Sequence, residues 1–467
     1  MRYDLVVLGS GPSGQRAAVQ AAKLGKRVCV CEESSVVGGV CTNTGTIPSK
    51  SFRHAVMHLT GFHEKGIYGQ AYAVKHDITM GDLLFRVAHV VRSEIDVIRA
   101  QLSRNNVDLL DGRASFHGPN SVVVETRGSG GARLLEADRV VVATGTVATR
   151  DTYPFDGERV IVSDDILSLP RLPRTLAVIG AGVIGVEYAT MFAALGVKVT
   201  LIDKRDRLLP FVDREIADSL AYHLQQHRVT LRLHEEVGDI RVEERDGRPP
   251  VELLLKSGKS VLAEVALSAV GRTGATAGIG LDKAGVTVDA RGRIPVNEHF
   301  QTNVPHIYAV GDVVGFPSLA STAMEQGRHA TRHAFGMSTD VGASLGLFPY
   351  GIYTVPEISM VGRTEDELTE ASVPYEVGKA RFRELARGQI TGDTVGLLKL
   401  LFDPDSKKLL GVHVIGEGAS EIVHIGQALM AHGGTVEYLS DAVFNYPTMA
   451  EAYKVAALDG LNRLSGR

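Results

Sequence analysis

The chain of 467 residues is 44% hydrophobic and 22% charged, the proportions of an ordinary globular protein, and is long enough for about three domains of roughly 150 residues each. Its formal net charge of −4 leaves no basic footprint for nucleic acid. Three cysteines, Cys29, Cys31 and Cys41, are too few for a disulfide framework and are not spaced for structural zinc; no metal is expected, and partners are sought among small molecules. Met1-Arg2-Tyr3-Asp4 runs directly into an apolar strand, which leaves no room for a signal peptide. The apolar run Thr175–Val186 holds three glycines and is shorter than the roughly 20 residues of a spanning helix. A soluble, cytoplasmic protein without membrane contact is expected.

Leu5–Leu8 reads as a buried parallel strand, followed by Gly9-Ser10-Gly11-Pro12-Ser13-Gly14 and an alanine-rich helix to about Lys23. In a strand–GxGxxG–helix unit the glycines permit a tight turn and bring backbone N–H groups against a pyrophosphate at the positive end of the helix. Arg27–Cys31 is the next strand and ends at Glu32, where a carboxylate can accept from a ribose hydroxyl. Cys29 and Cys31 share one face of that strand by period-two alternation, as packing thiols do. The stretch Gly38-Gly39-Val40-Cys41-Thr42-Asn43-Thr44-Gly45-Thr46-Ile47-Pro48-Ser49-Lys50 places a thiol, several hydroxyls and a lysine close together, with Lys50 on an opening helix. By itself it reads equally as a glycine-rich loop with a small buried thiol or as a surface for a redox group. Met80 to about Arg104 carries an apolar stripe at helical spacing. Strands follow at Val107–Leu110 and Ser121–Glu125, then a turn at Gly128–Gly131, then Arg139–Ala143, closed by Thr144-Gly145-Thr146.

After a turn-rich connector over 148–170 the first unit repeats. Leu176–Ile179 is a strand, Gly180-Ala181-Gly182-Val183-Ile184-Gly185 the turn, Val186–Leu195 a helix, and Lys198–Ile202 a strand ending at Asp203. First glycine and acid are equally far apart in both copies, Gly9 to Glu32 and Gly180 to Asp203, so two dinucleotides are expected, FAD on the first and a nicotinamide cofactor on the second. Asp203 is followed by Lys204-Arg205-Asp206-Arg207. A carboxylate suits the 2′-hydroxyl of NAD and the cations suit the 2′-phosphate of NADP, so one pocket is expected to accept both; a solvated charge cluster is the alternative. Ala269-Val270-Gly271-Arg272 ends this domain. Alternating strands and helices from about Gly346 include Gly396–Phe402, Leu409–Ile415, Ser420–Ala431 and Val436–Ala442.

The Cys41–Lys50 segment resembles the active-site stretch of the flavin-dependent pyridine nucleotide-disulfide oxidoreductases, the family of glutathione reductase and dihydrolipoamide dehydrogenase. Thr302–Asp312 resembles that family's third flavin motif and Thr144-Gly145 its second. The likeness runs from Tyr3 to Leu464. It implies an α/β fold of two Rossmann-like dinucleotide-binding domains, for FAD and NAD(P), plus a C-terminal α+β dimerisation domain, with segments 1–147 (FAD), 148–271 (NAD(P)), 272–345 (FAD and central) and 346–467 (interface). It further implies that Gly39, Cys41, Lys50, Ala114, Thr144, Gly145, Gly271, Asp312, Leu319 and Ala320 contact cofactor, that Glu187 pairs with Lys50 beside the flavin, and that the chain forms a homodimer or higher homo-oligomer.

Two positions depart from the dithiol enzymes. Thr46 stands where they have a second cysteine, and Tyr446 where they have a histidine, although the orienting acid, Glu451, is kept. A hydroxyl cannot close a disulfide, and a phenol with pKa near 10 is a poor proton shuttle at neutral pH. What is left is hydride exchange, NADPH + NAD⁺ giving NADP⁺ + NADH, as in the branch of the family that passes hydride between pyridine nucleotides. An NAD(P)H oxidase or quinone reductase on the same scaffold, and a flavin-loaded redox sensor signalling through Cys41, are the alternatives.

Overall fold

The structure, a computed structural model, describes residues 1–69, 71–127, 131–242, 250–337 and 347–466. Residues 128–130 of the expected turn and the expected boundary at 345/346 lie outside the described residues. The chain divides into two compact units, Met1–Phe52 with Leu84–Thr149 and Gly271–Val341, and Arg53–Leu83 with Arg150–Val270 and Gly342–Arg467.

In the first unit the strands Arg2–Leu8 and Val28–Glu32 pair in parallel, and Arg2–Leu8 also pairs in parallel with Ala132–Val142. Ile307–Ala309 closes the far side in parallel with Ala132–Val142, and Asp108–Gly118 the near side with Val28–Glu32. Apolar residues fill both faces: Val6, Leu8, Cys29 and Cys31 pack into one core, and Leu5, Val7, Val28 and Val30 into another. Burial on two sides is why these strands read as continuous apolar runs. The two strands expected at Val107–Leu110 and Arg139–Ala143 are each the parallel-paired part of a strand of 11 residues. Their remaining halves pair antiparallel with Ser121–Thr126, the strand expected at Ser121–Glu125, and exposed residues such as Arg113 and Arg133 beside buried Ala114 and Leu135 hide those halves from a search for apolar runs.

The second unit repeats this plan. Thr230–Leu233, Lys198–Asp203, Thr175–Ile179, Val265–Ser268 and Val160–Val162 form a parallel sheet in that order, with an antiparallel meander of Val237–Val242, Val251–Leu255 and Ser260–Ala263. The fifth strand, Val160–Val162, comes from the expected connector; three buried residues are too short a signal among its prolines and aspartates. In the first unit the corresponding edge strand is the last in sequence, whereas here it is the first.

The C-terminal part of the second unit is an antiparallel sheet in the order Tyr350–Ile352, Ile358–Gly362, Leu409–Ile415, Leu397–Phe402, Glu376–Arg381. It is covered by Ala419–Ala431 and by Glu451–Leu464, a helix that buries Tyr453, Ala456 and Ala457. Lys399 lies in the fully buried strand Leu397–Phe402, 2% exposed, and donates to both carboxylate oxygens of Asp213 at 2.8 and 3.0 Å. Glu365 and Glu215 complete its carboxylate shell. Such a shell is what a buried ammonium requires.

Candidate functional site

The two glycine turns are built alike, atom by atom. Gly9 and Gly180 hold φ of +103° and +102°, and a side chain there would strike the carbonyls of Ala143 and Ala269. A Cβ on Gly14 or Gly185 would fall 2.1 or 1.9 Å from the carbonyl oxygen of Gly9 or Gly180, so these third glycines let helix and turn touch. Gly11 and Gly182 differ: a Cβ would meet nothing within 4 Å. They cap the helices Pro12–Lys23 and Val183–Ala194 with no side-chain cap bond, leaving the first N–H groups facing open space where an anion is favoured. The acids repeat as well. Glu32 Oε2 accepts from the N–H of Ser10 at 2.9 Å, and Asp203 Oδ2 from the N–H of Ala181 at 2.5 Å.

In the first unit the turn opens onto a cavity of about 740 Å³. Gly9, Gly11, Glu32, Gly39 and Cys41 line one part of it, Ala114, Thr144 and Gly145 another, and Asp312, Ala320 and Thr46 the rest. The size and mixed lining are those of a cofactor site. Among the described residues Thr144 Oγ1 is buried with no hydrogen-bond partner, a polar atom suited to a ligand. Ala320 heads the helix Ala320–Ala334, which has no acid in its first turn, so its positive end faces the cavity. Burial pushes the Asp312 carboxyl upward against the opposing Arg272 guanidinium. Leu319 is the N-cap of that helix but does not line the cavity, and Gly271, whose carbonyl accepts from Thr149 N–H at 3.2 Å, does not line it either. The cradle, the acid and the unpartnered hydroxyl fit FAD.

Cys41 sits on the short helix Gly39–Asn43, and Thr46 opens the helix Thr46–Thr60 that carries Lys50. Gly38 and Gly39, at φ +108° and +60°, bend the chain so that Gly39 packs on Gly11. Burial raises the Cys41 thiol, and a hydrogen bond with Thr46 together with the charge of Lys50 only partly offsets it. The group at the second cysteine position thus meets Cys41 as a hydroxyl, and the thiol stays protonated at neutral pH. In the second unit Glu187 is 4% exposed and accepts from the N–H of Tyr353 at 2.9 Å. Tyr446 is 71% exposed. Among the described residues Glu451 Oε2 is buried without a hydrogen-bond partner, and no hydrogen bond joins it to Tyr446.

The expected charge cluster is divided. Arg205 grips Asp203 with two prongs, Nε at 2.9 Å and a terminal nitrogen at 2.6 Å. Arg207 instead reaches Asp366 at 2.9 Å and the Pro210 carbonyl at 2.7 Å, and Lys204 is exposed. Burial works to raise the Asp203 carboxyl, but the hydrogen bonds from Arg205 and Ala181 outweigh it and hold it low.

Sequence reasoning missed Ser10. Its hydroxyl donates to Glu32 at 2.5 Å and accepts from Gly38 N–H at 2.9 Å, tying turn, acid and thiol loop together; its place beside the first glycine was the available signal. It also missed Arg113, Arg127 and the edge Thr273–Ala275, which line the cavity from far along the chain. Arg272 anchors that edge by donating to the hydroxyl and carbonyl of Thr146, each at 2.9 Å.

Duplicated dinucleotide turns, one of them opening onto a large cavity beside a thiol and a helix N-terminus, define a flavoprotein oxidoreductase scaffold. The chain belongs to the pyridine nucleotide-disulphide oxidoreductase family: residues 3–327 match that family and residues 348–457 its dimerisation domain. It is 53% identical over 463 residues to a soluble pyridine nucleotide transhydrogenase of Mycobacterium bovis, covering 99% of this chain and 98% of the relative. A protein of the same name from Hahella chejuensis is 48% identical over 472 residues, with 99% of both chains covered. Among solved structures, LpdA from Mycobacterium tuberculosis superposes with a TM-score of 0.88 at 27% identity, covering 98% of this chain and 99% of that one. The HOCl-induced flavoprotein disulfide reductase RclA of Escherichia coli gives 0.86 at 28%, with the same coverage. Among the described residues no helix is long and apolar enough to cross a membrane, and no group of His, Cys, Asp and Glu could hold a metal ion.

Proposed function

We propose that this chain is an FAD-dependent NAD(P)⁺ transhydrogenase that exchanges hydride between NADPH and NAD⁺ and works as a homodimer in the cytoplasm. One observation carries the reading: Cys41 meets the Thr46 hydroxyl instead of a second thiol, while both dinucleotide turns are intact. Relatives called transhydrogenases over nearly their whole length support it, and they favour neither the oxidase, the quinone reductase nor the sensor alternative.

Bound FAD would supply the two-electron carrier that takes hydride from one nicotinamide and yields it to another. Gly9, Gly11 and the helix Pro12–Lys23 would hold its pyrophosphate and Glu32 its ribose, with Asp312, Thr144 and Ala320 along the rest of the cavity. Gly180, Gly182 and Gly185 would hold each nicotinamide dinucleotide in turn, with the adenosine ribose of each beside Asp203 and Arg205. Cys41, kept protonated by burial, adds no thiolate to compete as an electron outlet. With Tyr446 in place of a histidine the chain supplies no proton shuttle there, and hydride exchange between nicotinamides requires none.

Anaerobic stopped-flow tests this. After reduction by one equivalent of NADPH and removal of NADP⁺, addition of NAD⁺ should restore the oxidised flavin spectrum rapidly with NADH appearing. A flavin that stays reduced until oxygen or a quinone is admitted would replace the reading with an oxidase or quinone reductase.

A further inference from the structure

The two ribose acids differ in one respect that the shared fold throws into relief. Glu32 accepts three hydrogen bonds, from Ser10 N–H and Oγ on Oε2 and from Ser34 N–H on Oε1. A carboxylate has about four acceptor sites, so one on Oε1 is open for a ribose hydroxyl. Asp203 has none to spare. Oδ2 accepts from Ala181 N–H at 2.5 Å and from an Arg205 terminal nitrogen at 2.6 Å, and Oδ1 from Arg205 N–H at 2.8 Å and Arg205 Nε at 2.9 Å. An incoming 2′-hydroxyl can donate to Asp203 only if the Arg205 side chain leaves.

A 2′-phosphate has the opposite requirement, since it accepts. Arg205 carries five N–H donors in a planar fork, of which Asp203 engages two through the side chain. Its side chain is 39% exposed over a carboxylate that is 4% exposed, so the remaining donors face outward. The backbone beneath is fixed, with Asp203 C=O accepting from Glu235 N–H and Arg205 C=O from His234 N–H, so any rearrangement falls to the guanidinium. The other two cations do not share this role: Arg207 is held by Asp366 and Pro210, and Lys204 makes no hydrogen bond to Asp203.

We propose that the Asp203–Arg205 pair is the specificity switch of the nicotinamide site: closed, it presents a guanidinium to the 2′-phosphate of NADP(H); opened, it frees Asp203 for the 2′-hydroxyl of NAD(H). The proposal rests on the transhydrogenase reading and supplies what that reading needs, one pocket that takes two ligands of opposite hydrogen-bonding character in turn. It makes Arg205 favourable to one cofactor and an obstacle to the other. Removing it should therefore move the two affinities in opposite directions, which neither general electrostatic attraction nor a fold role would do.

The test uses flavin-loaded enzyme and calorimetric titration with adenosine 2′,5′-bisphosphate and with adenosine 5′-monophosphate, which carry the discriminating groups and undergo no redox chemistry. Arg205→Ala should weaken the bisphosphate about 10- to 100-fold, the loss of one charged hydrogen-bonding contact, and tighten the monophosphate several-fold. Arg205→Lys, which keeps the charge but not the fork, should shift both in the same senses by less, and it serves if the alanine variant loses its flavin. Lys204→Ala should weaken the bisphosphate without tightening the monophosphate. Equal weakening of both probes by Arg205→Ala, or an unchanged monophosphate affinity, overturns the switch while leaving NADH formation in stopped-flow intact. Wild-type enzyme that binds neither probe overturns the nicotinamide assignment beneath it.

Discussion

The four inner glycines of the two turns should separate into two phenotypes under the same substitution. At Gly14 and Gly185 an alanine methyl would lie 2.1 and 1.9 Å from a backbone carbonyl oxygen, and no rotamer can relieve it. The helix must move off the turn, at a cost at or above the upper end of the roughly 1–3 kcal/mol typical of overpacking. At Gly11 and Gly182 the methyl meets nothing, and φ is −64° and −81° with ψ near 180°, a conformation any residue adopts. The fold should lose less than about 1 kcal/mol, the difference between glycine and alanine at a helix N-cap. The methyl does occupy the approach to the helix N-terminus, so the proposed pyrophosphate loses about 1.5–3 kcal/mol of charge-assisted hydrogen bonding. Apo-protein melting, the flavin-to-protein absorbance ratio and calorimetric NADP⁺ titration read the three quantities separately. Gly11→Ala should melt normally and lose flavin; Gly182→Ala should keep flavin and bind NADP⁺ about 10-fold or more weakly; Gly14→Ala and Gly185→Ala should fail at folding. A Gly182→Ala variant with normal nucleotide affinity, or a Gly11→Ala variant with full flavin, would refute the placement of the two pyrophosphates.

Cys41→Ser should keep its flavin and most of its hydride exchange, because the thiol has only a hydroxyl for a partner; complete loss of turnover in a flavin-replete variant would count against a bystander role. His223 is 6% exposed, its ring tilted at 37° against that of His227 with centroids 4.2 Å apart, and burial lowers it to about 4. The unfolded chain takes up a proton near pH 6.5 that the native state refuses until about pH 4, so stability present above pH 6.5 is lost on acidification, by about 3 kcal/mol at most. His223→Phe should flatten the fall in melting temperature between pH 7 and pH 4.5, and an unchanged slope would place that acid sensitivity elsewhere. Lys399→Met should destabilise by about 3–5 kcal/mol, since it leaves Asp213 buried without its cation. Urea melts would show it, and a loss below about 1 kcal/mol would mean that water reaches the site.

The parallel strands and the two glycine turns were legible because burial on both faces and contact between backbones restrict sequence severely. Leu5–Leu8 and Gly180–Gly185 leave few other conformations open. Of the meander of Asp108–Gly118, Ser121–Thr126 and Ala132–Val142, the middle strand and the ends that join the parallel layer were legible, whereas the antiparallel halves of the two long strands were not, since one of their faces meets solvent. Strands such as Glu376–Arg381 and the helix Glu451–Leu464 are defined by packing within their sheet layer, which no local pattern encodes. At the site, motif residues such as Gly9, Glu32, Cys41, Thr144 and Asp312 line the cavity while Lys50, Gly271 and Leu319 do not, and Ser10, Arg113 and Arg272 act through partners remote in sequence. The three cations after Asp203 read as one cluster, and their division between Asp203 and Asp366 depends on side-chain directions that spacing does not carry.

The edge strands of the two parallel sheets enter from opposite ends of the chain, and this sets an order of events during synthesis. Val160–Val162 leaves the ribosome before the strands it will join, so the sheet of the second unit has all its members once Val265–Ser268 has emerged. The first sheet, begun earlier, must wait for Ile307–Ala309. At about 5–20 residues per second the interval after Val142 is on the order of 10 s or more. Asp312 and the helix Ala320–Ala334 arrive later still, so the nascent chain carries an incomplete cavity while the middle of the protein already has its full sheet. With the proposed flavin site completed only then, flavin capture is expected to be a late step of biogenesis, and truncated chains ending before Asp312 should emerge colourless.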